Sequence, residues 1–155
     1  MAPPRKVDPA YLIIPLLEAF YWYDESLRNY LQQHGWPEVT RPQSIIMANI
    51  IQGVNRPSDI ARRIGVSRQA VHEIINQMVE QKYLTLRADP EDGRAKIIVI
   101  SKVGERRRKD AQAAMRVISE QLARRIGKHN VANLIAAFDE DWGAPISDFT
   151  PARKR

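Results

Sequence analysis

The stretch between residues 57 and 81 constrains the fold more than any other part of the sequence. Apolar residues recur there at three- and four-residue spacing, and the repeat is interrupted only at Gly65-Val66-Ser67. This pattern predicts two short helices, each preceded by a serine that can cap it, at Ser58 and Ser67. Two short helices joined by a three-residue connection have the dimensions of a helix-turn-helix.

Extended segments follow the second short helix. Residues 83–88 and 95–100 are apolar and β-branched, and the turn-forming sequence Pro-Glu-Asp-Gly lies between them at 90–93. These features predict a β-hairpin directly after the helix-turn-helix. We therefore predict a winged helix-turn-helix over residues 57–100.

Helical patterns also occupy the sequence on both sides of this region. They predict four further helices, at about 15–34, 40–51, 101–126 and 131–142. The first either begins at Pro15 or is kinked there, and Thr40 and Gln43 form a capping box for the second. The expected fold class is mainly α with a small β-hairpin wing. We expect one domain, in which 9–56 and 101–145 form a helical dimerisation region and 1–8 and 146–155 are loose arms.

The charge of the chain is concentrated in its centre. The net charge is +6, yet residues 57–109 carry 12 Lys and Arg against 7 Asp and Glu, whereas residues 1–56 are balanced. A basic segment beside a neutral one is typical of a nucleic-acid-binding module, although a solvated basic face would look the same by charge alone. The chain has no cysteine, which excludes disulfides, thiolate metal sites and cysteine nucleophiles.

The polar face predicted for the second short helix differs from an ordinary solvated face. It is rich in amides and in side chains that both donate and accept, which are the types that read base edges in a major groove. The first turn of such a helix meets the bases, and its backbone N–H groups favour phosphate. We expect six residues of this helix to contact DNA: Ser67, Arg68, Gln69, His72, Asn76 and Gln77.

The predicted hairpin carries three basic residues that could reach DNA, Arg87, Arg94 and Lys96. Arginine at the tip of a wing can enter a narrow minor groove. Asp92 is expected to orient Arg94 through an ion pair. The alternative is that the acidic residues of the loop only form the turn, which Asp favours in any case.

Three segments together resemble the multiple-antibiotic-resistance regulator (MarR) family. They are Arg56-Pro-Ser-Asp-Ile-Ala-Arg-Arg-Ile-Gly-Val-Ser-Arg-Gln-Ala-Val71, Asp89-Pro-Glu-Asp-Gly-Arg-Ala-Lys96 and Ile100-Ser-Lys-Val-Gly104. The resemblance covers about residues 10–142, and it implies a homodimer on a palindromic operator with Asp92 and Arg94 in the wing. Two departures stand out. Gln81-Lys-Tyr replaces the family's usual Lys-Gly pair, and Gly93 stands where a second basic wing residue is common.

The helices outside the winged region carry apolar stripes that a core of this size cannot bury, which predicts that a second copy covers them. The family resemblance also implies a small aromatic or phenolic effector. Its pocket could be lined by five residues: Trp22, Tyr23, Tyr30, His34 and Trp36. The alternative is that these aromatic residues belong to the dimer core, which is their commoner role.

The sequence thus predicts a cytoplasmic, nucleoid-associated DNA-binding transcriptional regulator that acts as a repressor. The chain has three histidines and no phosphate-binding or nucleophile motif, so no enzymatic activity is expected, and no cofactor, metal site or membrane association is expected either. Two alternatives stay open. One is a winged helix used for protein–protein assembly, and the other is a non-specific architectural nucleic-acid binder.

Overall fold

The computed structural model describes residues 8–147, so the predicted loose arms lie almost entirely outside the described residues. A short 3₁₀ turn precedes eight elements: α1 (Ile13–Gln33), α2 (Arg41–Ile51), α3 (Pro57–Ile64), α4 (Arg68–Glu80), β1 (Leu84–Ala88), β2 (Lys96–Ile100), α5 (Lys102–Ile126) and α6 (Lys128–Asp139). The predicted mainly α fold with a two-stranded wing is confirmed. The chain divides into two compact units after Ile118. Within residues 8–147, no helix combines the length and the apolar character needed to cross a membrane.

Three helix starts differ from the prediction. Helix α1 begins at Ile13, so Pro15 lies in its first turn, where a proline has no intrahelical N–H bond to lose. Helix α3 begins at Pro57 with Arg56 as its N-cap residue, not after Ser58, because proline at the first helical position has no N–H to lose and is already fixed near the helical φ. Helix α6 begins at Lys128, three residues before the predicted Val131, since Gly127 turns the chain with a φ of 94°.

The caps of the two central helices agree with the prediction. Ala70 donates its backbone N–H to Ser67 Oγ at 3.1 Å, so Ser67 caps α4. The capping box of α2 is complete, because Gln43 N donates to Thr40 Oγ1 at 3.4 Å and Thr40 N donates to Gln43 Oε1 at 3.1 Å.

The first unit has a hydrophobic core that fixes the orientation of α4. Val71, Ile75 and Met78 on α4 are at most 1% exposed, and they pack with Ile46 of α2 and Ile60 of α3. Since these apolar residues recur every three or four positions, burying them turns the opposite face of α4 to solvent.

The hairpin is attached to the helix-turn-helix through its second strand. Strands β1 and β2 pair antiparallel, from Leu84 opposite Ile100 to Ala88 opposite Lys96. Ile98 N also donates to Asn55 O at 2.8 Å, just before α3 begins. Strand β2 is therefore held both by β1 and by the residue that precedes the start of α3.

The turn after α4 takes a left-handed conformation without a glycine. Lys82 has a φ of 65°, and its N–H donates to Val79 O at 2.9 Å. We expect Lys82→Gly to raise the free energy of unfolding by about 0.5–1 kcal/mol, because glycine adopts this conformation without a side-chain clash. Urea unfolding measures the change. Lys82→Ala is the control and should give no such gain, and a destabilised Lys82→Gly would contradict the interpretation.

Candidate nucleic-acid interface

The N-cap residue and the exposed face of α4 carry the six residues predicted to contact DNA. Ser67, Arg68, Gln69, His72, Asn76 and Gln77 are each exposed. Gln69 Nε2 donates to Glu73 Oε1 at 3.1 Å, one turn further along the helix. This contact orients the Gln69 amide along the helix surface. The Ser67 side chain accepts the N–H of Ala70, but the first backbone N–H groups of a helix otherwise lack partners within it, so the start of α4 offers donors to an anion.

A cationic cleft lies between α4 and the wing. It is lined by Arg56, Pro57, Ser58, His72, Asn76, Leu86, Arg94, Ala95 and Lys96. The cleft brings His72 and Asn76 of α4 together with Arg94 and Lys96 of the wing. Such a concentration of positive charge beside an exposed helix face suits a phosphate backbone.

The remaining predicted residues lie outside this cleft. Ser67, Arg68 and Gln69 lie at the start of α4, and Gln77 is exposed towards its end. Arg87 is exposed, but it follows the cleft-lining Leu86 in β1, and successive side chains in a strand point to opposite faces. Arg87 is therefore separate from Arg94 and Lys96.

The predicted ion pair between Asp92 and Arg94 does not form. Asp92 Oδ1 instead accepts the backbone N–H of Arg94 at 3.0 Å, which closes a local turn. Among residues 8–147, no ion pair involves the Arg94 side chain, and Arg94 is an exposed residue of the cationic cleft. The structure agrees with the alternative interpretation, in which the acidic side chain forms the turn.

The other two acidic residues of the loop bind an arginine that the sequence analysis had not singled out. Arg56 Nε lies 2.6 Å from Asp89 Oδ2, and Arg56 Nη2 lies 2.6 Å from Glu91 Oε2. We call Arg56, Asp89 and Glu91 the wing clasp. It joins the N-cap residue of α3 to the first residues of the wing loop. The contact spans 33 residues, so no local signal in the sequence reveals it.

The electrostatics of the clasp favour its charged form. The hydrogen bond from Arg56 and the backbone N–H of Glu91 lower the pKa of Asp89, and the two carboxylates raise the pKa of Arg56. A lowered carboxyl pKa stabilises the fold at pH values above the ordinary range of Asp, and this contribution is lost as the pH falls through the lowered pKa. The clasp should thus be intact at neutral pH.

The five residues proposed for an effector pocket make contacts with one another, with α5 and with Tyr83. The rings of Tyr30 and His34 stack at 3.9 Å, and Tyr23 Oη donates to Met115 O at 3.1 Å. Trp36 Nε1 donates to Asp110 Oδ2 at 2.7 Å, and the Trp36 ring lies 6.3 Å from that of Tyr83. Trp22 and Tyr23 meet edge to face. None of the five residues lines the cationic cleft.

No metal site is apparent in the described part of the chain. Between residues 8 and 147, no three His, Asp or Glu side chains come together in a way that could hold an ion. The exposed side chains of α4 and the wing offer hydrogen-bond donors, hydrogen-bond acceptors and positive charge.

Comparison with known proteins supports the same interpretation of the fold. The model of the MarR family matches residues 38–95, which include α2, α3, α4 and most of the wing. No curated protein matches the chain in sequence.

Solved structures match over most of the chain. Wild-type MarR from E. coli, in its apo form, has 16% identity and a TM-score of 0.69 over 86% of this chain and 96% of that chain. A transcriptional regulator from Thermotoga maritima has 23% identity and a TM-score of 0.59 over 79% and 85% of the two chains. The PcaV transcriptional regulator from Streptomyces coelicolor, solved with its natural ligand, has 18% identity and a TM-score of 0.57 over 89% and 94%.

The resemblance inferred from the sequence is thereby confirmed by the family model over residues 38–95 and by the fold over most of the chain. Residues 38–95 match the model of the MarR family, and the chain has the fold of the solved structures named above, MarR from E. coli among them.

Proposed function

We propose that this protein is a transcriptional regulator that binds a specific double-stranded DNA sequence, with residues 57–100 as the DNA-binding region. The observation that carries the proposal is the exposed face of α4 beside the cationic cleft. Arg68 and Gln69 are exposed in the first turn of α4, which suits contact with base edges, and Arg94 and Lys96 line the cleft, which suits contact with the backbone or the minor groove. Such a regulator acts on the cytoplasmic nucleoid.

The proposal includes a homodimer formed by the helices of residues 9–56 and 101–145. At the start of α1, Ile13 and Ile14 are 71% and 52% exposed. In the second unit no residue of α6 is buried, and Phe138 is 57% exposed. Apolar surface of this kind is rarely left to water in a monomer, and a second copy would cover it in a symmetric interface. Two copies would present two α4 helices to two half-sites of a palindrome.

Selection of genomic DNA fragments by the wild-type protein tests both parts of this proposal. We expect a small set of fragments that share a palindromic sequence, with half-site centres about 10 base pairs apart. Recovered fragments without a common sequence would contradict specific binding. A common sequence with a single half-site would contradict the symmetric dimer. The genes next to the recovered sites would indicate the regulated pathway.

We further infer repression as the mode of action, relieved by a small aromatic effector. An effector can release DNA only if it binds more tightly to a dimer conformation whose two α4 helices do not match the half-site spacing than to the DNA-binding conformation. The support is the set of aromatic side chains around Trp36 and Tyr30 and the ligand bound to the PcaV regulator. Phenolic and benzoic compounds should displace the protein from its operator. If the protein stays bound to its operator at saturating concentrations of all the compounds tested, the proposal of an aromatic effector is contradicted.

A further inference from the structure

The wing clasp places a buried carboxylate at the base of the wing. The side chain of Asp89 is 1% exposed, although it lies in a loop at the protein surface. A buried carboxylate is tolerated only when charge and hydrogen bonds compensate for the lost water. Arg56 supplies the charge, and Glu91 N donates to Asp89 Oδ1 at 2.9 Å. These partners fix the point at which the wing loop leaves β1.

Backbone hydrogen bonds also hold the loop that follows Asp89. Asp89 N donates to Ala95 O at 3.0 Å, and Ala95 N donates to Asp92 O at 2.9 Å. Arg94 lies inside this closed loop, so its position depends on the anchoring of Asp89.

The clasp also separates the charges of the loop. Arg56 borders the cationic cleft on one side and a second cleft on the other. The second cleft is lined by Gly53, Val54, Asn55, Arg56, Asp59, Arg63, Asp89, Pro90, Glu91 and Ile97. Asp89 and Glu91 line only this second cleft. Arg56 therefore keeps both carboxylates away from the surface that carries Arg94, His72 and Lys96.

We propose that Arg56 and Asp89 are positioning residues for DNA binding: their ion pair fixes the wing so that Arg94 reaches DNA, without either residue contacting DNA itself. This inference rests on the proposed function. It contradicts the simplest expectation for each residue, since an arginine at a DNA-binding surface is expected to contact phosphate and an aspartate there is expected to repel it.

The sign of the Asp89→Asn effect distinguishes positioning from simple electrostatics. Removing a negative charge near DNA should strengthen binding if charge alone matters. We expect Asp89→Asn instead to weaken binding to a DNA fragment selected by the wild-type protein, on the order of tenfold, as for one lost interface contact. Fluorescence anisotropy at fixed salt measures the dissociation constant. Asp59→Asn is the matched control, because Asp59 lines the same second cleft but pairs with Arg62. It should bind as tightly as the wild type or more tightly.

A double-mutant cycle with Arg94→Ala tests how the clasp acts. If the clasp acts through the wing, the double variant with Asp89→Asn and Arg94→Ala should bind the DNA fragment no more weakly than the variant with Arg94→Ala alone. Losses that multiply, or an Asp89→Asn variant that binds as well as the wild type, would overturn the proposal. If Asp89→Asn does not fold, Arg56→Gln takes its place in the cycle, with the same two outcomes. Failure of the wild type to bind any selected fragment would instead refute the proposed function.

Discussion

Gly104→Ala is expected to lower the free energy of unfolding by about 3 kcal/mol or more. Gly104 lies in the first turn of α5, and a Cβ there would come within 2.2 Å of the backbone oxygen of Tyr83 and 2.8 Å of Ile100 Cγ2. Backbone cannot move aside as a flexible side chain can, so α5 would have to shift away from the turn that follows α4. Urea unfolding followed by circular dichroism measures the loss.

Gly93→Ala is the matched control for this substitution. The added Cβ at Gly93 would meet no atom within 4 Å, so we expect a change within about 0.5 kcal/mol. A Gly104→Ala protein as stable as this control would show that α5 does not approach Tyr83 as closely as described. The close approach matters for function, because Ser101 N also donates to Tyr83 O at 3.0 Å and α5 thus supports the end of α4.

Arg68→Ala is expected to cost about 1–3 kcal/mol of operator binding and to relax the preference at one base pair. Arg68 is the first residue of α4 and is exposed, and no hydrogen bond or ion pair within residues 8–147 occupies its guanidinium. Such an arginine is free to bind a guanine edge with two hydrogen bonds. Competition against operators changed at single positions measures both the affinity and the preference.

Arg62→Ala serves as the control for the loss of one positive charge. Arg62 is on α3, its side chain is 76% exposed, and it pairs with Asp59 at 3.1 Å. Its removal should change binding to all sequences by a similar small factor. If Arg68→Ala likewise reduced binding to operator and scrambled DNA equally, Arg68 would be a backbone contact and the assignment of α4 as the reading helix would be wrong.

The parts of the fold that the sequence predicts well are those set by local patterns. Ser67 before an apolar repeat predicts the start of α4, and the Thr40–Gln43 pair predicts that of α2. Burial of Val71, Ile75 and Met78 follows from their spacing, so the exposed face of α4 could be identified before its contacts were known. The turn at Pro-Glu-Asp-Gly predicts the hairpin in the same way.

The parts that the sequence does not predict depend on contacts between distant residues or on competition between local ones. Arg56 and Asp89 are distant in sequence, and they meet where the hydrogen bond from Ile98 of β2 to Asn55 O holds the wing beside the start of α3. The Asp92–Arg94 pair fails because the backbone N–H of Arg94 is nearer to the Asp92 carboxylate than its guanidinium is, and the turn uses it. Likewise, Lys82 adopts a left-handed conformation that the family's pattern assigns to glycine, since the contacts of the following Tyr83 fix the turn.

The most direct test of the account compares binding of the wild-type protein to its selected operator and to a scrambled duplex of equal length over a range of salt concentrations. We predict a much tighter complex with the operator, and for both duplexes an affinity that falls as salt rises, with a log–log slope of about −0.9 for each phosphate neutralised. Equal affinity for operator and scrambled DNA would contradict sequence-specific regulation, and no binding to either at low salt would contradict a role for α4 and the wing in binding DNA.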